Sequence, residues 1–246
     1  FHLKKSPLSL LFESKLTIFY TFTLSLNIMR SNVQAASNAI VINRTLRNTY
    51  QLLSATLLFS GVMAYVSMAI GFPHLGLLTL VGFIGLYFLV SKLRNSAFGI
   101  LAVFALTGFM GLTLGPVISF YTTSLSNGSE LVAMAMTGTA VVFVSLSAYT
   151  LISQKDFSFM GGFLFVGLVV AVLAMVANIF LAIPVLSLTI SAAVILIMSG
   201  FILFDTSRII HGGETNYLMA TVSLYISIFN IFVHLLSILG LTSGDD

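Results

Sequence analysis

The sequence predicts an all-α polytopic membrane protein, a bundle of seven transmembrane helices with the last one at its centre. Three observations carry that prediction. Of 246 residues, 58% are hydrophobic and only 7% charged, where a soluble domain carries about 25% charged residues. Such a chain cannot cover a water-facing surface. Its apolar residues also fall into seven runs close to the roughly 20 residues a helix needs to cross a bilayer core about 30 Å thick. Finally, the last run carries one polar stripe, which a helix surrounded by lipid would not keep.

The N-terminal stretch stands apart. Residue 1 is Phe and the first Met is Met29. Lys4 and Lys5 precede an apolar run, but Glu13 and Lys15 interrupt it and no clean A-x-A-like site closes it. Residues 1–28 are therefore expected to be translated leader rather than mature protein. Residues 29–47 are expected to form a cytoplasmic tail. From Arg30 to about Asn43 that tail is short of bulky apolar residues, a composition that reads as disorder. The seven-helix domain follows over 48–241, and residues 242–246 make a short acidic tail.

Cutting the remaining chain at charges and turn formers gives spans near 50–71, 75–90, 97–121, 131–152, 157–180, 185–209 and 218–241. The first break is Gly71-Phe72-Pro73-His74; the later ones include residues 124–129, Lys155-Asp156, Ala182-Ile183-Pro184 and Gly212-Gly213, all turn or charge signals. On the third span Gly108, Gly111 and Gly115 permit close backbone approach. Pro116 comes next and should kink or loosen the helix. Near the far end of the fifth span, Asn178 is placed to bond across helices. If successive spans alternate in direction, Arg30, Arg44, Arg47, Lys92, Arg94, Lys155 and Arg208 all fall on one side. Basic residues stay cytoplasmic, which puts the N-terminus inside and Asp245-Asp246 outside, unless the final span is re-entrant.

Ionisable groups in hydrocarbon cost several kcal/mol unless paired or wet, so each is a candidate site. Asp205 lies about one turn from the cytoplasmic end of the sixth span, with Arg208 three residues on along the same face. The two read either as a helix-end ion pair reaching to the interface or as a proton- or cation-sensing carboxylate at a pore mouth. In the seventh span Ser223, Ser227, Asn230, His234 and Ser237 recur at helical spacing. That stripe either bonds to neighbouring helices or faces a narrow wet cavity.

Other chemistries are excluded residue by residue. Zero Cys removes disulfides, thiolate metal sites and a cysteine nucleophile. His234 has no second ligand at metal spacing, so no metal or other cofactor is expected. Asp205 is the one membrane-embedded Asp, where an aspartyl protease needs two, and H-E-x-x-H is absent. No Lys follows Lys155, so a late-span Schiff base cannot form. The net charge of +3 comes from scattered residues that make no nucleic-acid patch. The reading is that the chain is not an enzyme.

A set of longer motifs narrows the class. L-R-N-T-Y (46–50), L-G-P (114–116), K-D-F-S-F-M-G-G (155–162), V-A-N-I-F (176–180), H-G-G-E-T-N-Y (211–217), A-T-V-S-L-Y (220–225) and L-L-S-I-L-G (235–240) occur in order. Over roughly residues 44–240 the chain resembles the Bax inhibitor family of seven-span membrane proteins, most closely its bacterial YccA branch. The resemblance implies a bundle in which six spans surround the last, in the bacterial inner membrane. It implies one of two functions. The YccA branch is associated with the membrane-anchored, ATP-dependent zinc protease FtsH, as a substrate that occupies and modulates it. The wider family includes pH-sensitive calcium leak pathways gated by paired aspartates on the sixth and seventh spans. Asp205 matches the first aspartate, but Ser227 stands where the second belongs, so this chain departs from the leak pattern at the gate.

Overall fold

In the computed structural model the backbone is described over residues 7–243, and of the side chains before Ile40 those of Asn27, Met29 and Arg30 are described. The acidic tail Asp245-Asp246 and the start of the expected leader lie outside the described residues. The chain divides into two units, residues 1–43 and 44–246. The first unit is helical from Pro7 onward. This overturns the expectation of a disordered tail over 30–43, and the reason is in the composition. No Gly or Pro occurs between Leu8 and Ser60, so nothing interrupts helical hydrogen bonding there.

The rest of the described chain is helical too. Helix α1 is Pro7–Ile70 and its apolar stretch is Ile40–Ile70; it is followed by α2 (Leu77–Leu93), α3 (Gly99–Ser124) and α4 (Gly128–Ser153). A short 3₁₀ turn, Ser158–Met160, leads into α5 (Gly161–Leu181), α6 (Pro184–Ile210) and α7 (Tyr217–Ser243). Six helices are long and apolar enough to cross a membrane, and α2 is a shorter apolar helix of 17 residues. At 1.5 Å per residue α2 reaches about 25 Å, short of a full hydrocarbon core. Its limits are chemical: Gly76 precedes it with φ +52°, and Lys92 lies in its last turn.

The last helix is central. It packs against α2, α3, α4 and α6. Toward α1, Leu53 shares a buried cluster with Leu224 and Tyr225, and the Ser60 and Tyr225 hydroxyls lie 2.7 Å apart. Among the described residues α5 packs mainly on α6, and its Ala171 shares a buried cluster with Ile231 of α7. α5 thus leans on α6 and reaches α7 only at the edge of their seam. Most of α5 meets lipid, as Phe163, Val166, Val170 and Leu173 are all exposed.

Where α1 meets α3, the L-G-P motif explains itself. Pro116 has no N–H to give the Leu112 carbonyl four residues back. Ser67 of α1 donates to that carbonyl instead, at 2.6 Å. A side chain at Gly115 would occupy the Ser67 hydroxyl's place, and one at Gly111 would overlap the Ser60 carbonyl. The two glycines thus bring α1 close enough for the substitute bond. α3 runs on as one helix through Pro116, so the proline loosens one hydrogen bond without ending the element.

Hydrogen bonds tie three connections together at one end of the bundle. Asn216, before α7, donates to the Arg94 carbonyl at 2.9 Å and to Asn95 Oδ1 at 3.1 Å, in the α2–α3 connection. Thr45 donates to the Thr215 carbonyl. The Phe157 amide, after α4, donates to Ser207 Oγ on α6 at 2.9 Å. Arg44, Arg47, Lys92, Arg94, Lys155 and Arg208 therefore all cluster at this end, and Glu130 is the charged residue described at the other.

Candidate functional site

The basic end of the α6–α7 seam holds a small cavity of about 140 Å³, bordered by Tyr87, Asp205, Arg208, Glu214 and Ser223. Asp205 is 7% exposed. Its partner is Ser223, which donates to Oδ2 at 2.5 Å. Of the two readings of Asp205 and Arg208, the ion pair does not form among the described contacts. Arg208 borders the same cavity, but its guanidinium lies over the Phe204 ring and meets Glu214 at 3.6 Å and the Gly213 carbonyl at 3.1 Å. The reason is local. The chain reverses at Gly212, with φ +74°, and brings Glu214 back beneath α6, where it pairs with Arg208 near solvent. Asp205 itself is left with the neutral hydroxyl of Ser223 as its hydrogen-bond partner.

The stripe on α7 is laid along α6. Ser223 reaches Asp205, and Ser227, nearly fully buried, donates to the Ser223 carbonyl at 3.3 Å. Asn230 donates to the Ile226 carbonyl at 2.8 Å. His234 Nδ1 lies 3.1 Å from Ser191 Oγ on α6. Ser237 borders a second cavity of about 370 Å³ with His234, Ser191, Ser187 and Asn178, in the space between α5 and α7. Asn178 also donates to Ser187 at 2.6 Å. The stripe thus joins two cavities at opposite ends of one seam. Ser227 is not in the lining of the first cavity and bonds on its own helix; Ser223, one turn earlier, is the residue beside Asp205.

Three contributors escaped the sequence reading. Tyr225 is buried on a face of α7 away from the stripe and donates to the Thr107 carbonyl at 3.2 Å, so Ser60 must be the donor in the shorter bond between their hydroxyls. A tyrosine hydroxyl inside a span needs such partners, and that was the available signal. Asn216 caps α7, its Oδ1 accepting from the amides of Leu218 and Met219 at 3.1 Å each. An Asn just before an apolar helical run is a recognised cap signal. Ser207 is fully buried, accepts from Phe157 and donates to the Lys155 carbonyl at 3.3 Å; nothing in the spacing distinguishes it from other span serines.

Outside the spans, Asp156 accepts from the Ser158 amide at 2.8 Å. The side-chain and backbone hydrogen bonds from Ser158, with smaller help from His211 and Ser207, hold its carboxyl below the usual aspartate range.

A helical membrane bundle closed around a polar last helix, with a buried carboxylate on the sixth, defines the class. The chain belongs to the Bax inhibitor family, whose sequence pattern, described as "Inhibitor of apoptosis-promoting Bax1", matches residues 42–244. Among individual proteins, it is 57% identical over 205 residues to "Modulator of FtsH protease YccA" of Escherichia coli strain K12, covering 82% of this chain and 92% of that one. The same figures hold for "Inner membrane protein YccA" of Escherichia coli O6:H1. An uncharacterized protein of Pseudomonas aeruginosa is 50% identical over 206 residues, covering 83% of this chain and 92% of its own length.

Proposed function

We propose that this chain is a non-enzymatic inner-membrane modulator of a membrane-bound, ATP-dependent protease of the FtsH kind, acting as a substrate-like inhibitor. The observation that carries the reading is the 57% identity, over nearly the whole bundle, to a relative named as modulator of that protease. The placement of charge agrees with it. Six basic residues sit at the end of the bundle where α1 enters, so by the positive-inside rule the residues before Arg44 lie on the cytoplasmic side. A protease working from the cytoplasm would meet the chain there first.

The test uses the purified protein and protease in one membrane. The full chain in excess should co-purify with the protease and slow its turnover of a second membrane substrate. Deleting residues 30–43 should leave the unit from Arg44 onward folded and change how the protease processes the chain. Absence of both co-purification and slowed turnover would overturn the proposal.

A further inference from the structure

A third cavity, about 430 Å³, is walled by α1, α3, α4 and α7 and includes Leu57, Gly61, Met68, Ala140, Tyr225 and Phe232. It lies in the half of the bundle away from the basic end, since Gly61 is about 21 Å along α1 from Arg47 at 1.5 Å per residue. No charged side chain borders it. At its mouth Tyr65, Met136 and Val144 are 74%, 61% and 61% exposed, so it opens sideways, at a depth where the surroundings are hydrocarbon.

The buried hydroxyls in its wall are already engaged. Ser60 donates to Tyr225, Tyr225 donates to the Thr107 carbonyl, and Thr139 donates to the Ala135 carbonyl at 2.7 Å. Water needs about two to four polar partners to settle in a cavity, and beyond these engaged groups the wall offers the single hydroxyl of Tyr65, at the exposed mouth. An empty cleft would forfeit dispersion contacts along its whole length. Gly61 adds a second observation. In a helix interior Gly is unfavourable relative to Ala by about 1 kcal/mol, yet a Cβ at Gly61 meets nothing within 4 Å. Unlike Gly111 and Gly115, this glycine admits no neighbouring helix, and the room it leaves belongs to the cleft.

Shape decides between occupants. From Leu57 to Met68 the cleft follows about three turns of α1, roughly 16 Å. The cleft is long, lined by apolar side chains and open along its side to the hydrocarbon, a form that suits a flexible apolar chain lying along α1. We propose that this cleft between α1 and α4 binds one acyl chain of a bilayer phospholipid.

The test places the full chain in vesicles of phosphatidylethanolamine and phosphatidylglycerol. A small fraction of the lipid carries a diazirine near the end of one acyl chain, and labelled residues are mapped after irradiation. Residues bordering the cleft should be labelled in excess over the open lipid face of α5 at Val166, Val170 and Leu173. The excess should be the same with either headgroup carrying the reactive chain. Gly61→Phe, or Ala140→Phe from the opposite wall, should reduce it about tenfold, the change expected when burial of about two methylene groups is lost. Labelling of the cleft no stronger than that of α5 would overturn the proposal whether or not the variants fold. So would an excess that depends on the headgroup, or one that survives in a variant keeping the native thermal midpoint.

Discussion

Ser67 on α1 donates its hydroxyl to the Leu112 carbonyl on α3, at 2.6 Å, and supplies the bond that Pro116 withholds. One residue's defect is repaired from another helix, and that makes the pair testable. Ser67→Ala leaves a carbonyl without its donor in a dry interior, which costs about 1–3 kcal/mol. In Pro116→Ala the new residue brings its own amide to Leu112, so the same Ser67→Ala change should cost less there. A double-mutant cycle on unfolding in detergent should give a coupling of about 1 kcal/mol. Additive effects would mean that the hydroxyl does not serve the proline's carbonyl.

Asp205 and Ser223 make the corresponding link on the other side of α7. Because Ser223 is the contact and Ser227 bonds on its own helix, a second carboxylate should be felt most at Ser223. Ser223→Asp sets two like charges side by side at a largely buried position and should destabilise the bundle by more than Ser227→Asp. Adding Asp205→Asn should recover at least about 1 kcal/mol of that loss. Thermal midpoints of the four variants decide it, and equal effects at both serines would show that the register of α7 against α6 is different.

Much of this was legible in the sequence, because hydrophobic runs and turn residues act locally. The helices, their order and the central last one follow from apolar length and the stripe on α7. Three things were not legible. The pairing of Arg208 with Glu214 depends on a chain reversal at Gly212 that brings residue 214 under residue 208; linear spacing favoured Asp205. The helical state of residues 30–43 was missed because polar composition was weighed over the missing Gly and Pro. The large exposed face of α5 was also hidden, since its very apolar sequence suits a buried helix as well as a lipid-facing one. In the candidate site Asp205, Arg208 and the stripe could be named in advance. That Asp205 meets Ser223 and not Arg208 required the fold.

Asn216 joins two connections at the basic end, accepting from two amides of α7 and donating to Arg94 and Asn95. Removing a helix cap of this kind costs about 0.5–2 kcal/mol. Asn216→Ala should lower the unfolding midpoint and speed amide exchange at Leu218 and Met219. Asn216→Asp keeps the accepting oxygen and should retain the cap while losing the bonds to Arg94 and Asn95. Unchanged exchange at both amides in Asn216→Ala would count against the cap.

The pH response of the α4–α5 connection has a definite sign. Asp156 is held below its ordinary range, first by Ser158. A carboxylate depressed in the folded state stabilises it above the unfolded value of about 3.9. That contribution is lost as pH falls through the lower folded value. Asp156→Ala should therefore loosen the connection at neutral pH, seen as faster exchange of the Ser158 amide. The native protein should approach the variant only below about pH 4. A difference that persisted unchanged into strong acid would show that the carboxylate's charge is not what holds the turn.

Orientation in the membrane can be read directly, because the sequence contains no Cys and single cysteines can be introduced on a silent background. The basic residues from Arg44 to Arg208 share the end where Asn216 ties down the α2–α3 connection. That end should face the cytoplasm. His74→Cys, in the connection before α2, lies at the opposite end and should react with a membrane-impermeant maleimide added to intact spheroplasts. Ser96→Cys, in the α2–α3 connection, should react only after the membrane is opened. α2 falls short of a full crossing by length alone, so this pair of sites also tests whether its two ends are on different sides. Labelling of both from outside would mean that α2 does not cross; the reverse pattern would invert the bundle and remove the residues before Arg44 from the protease's side.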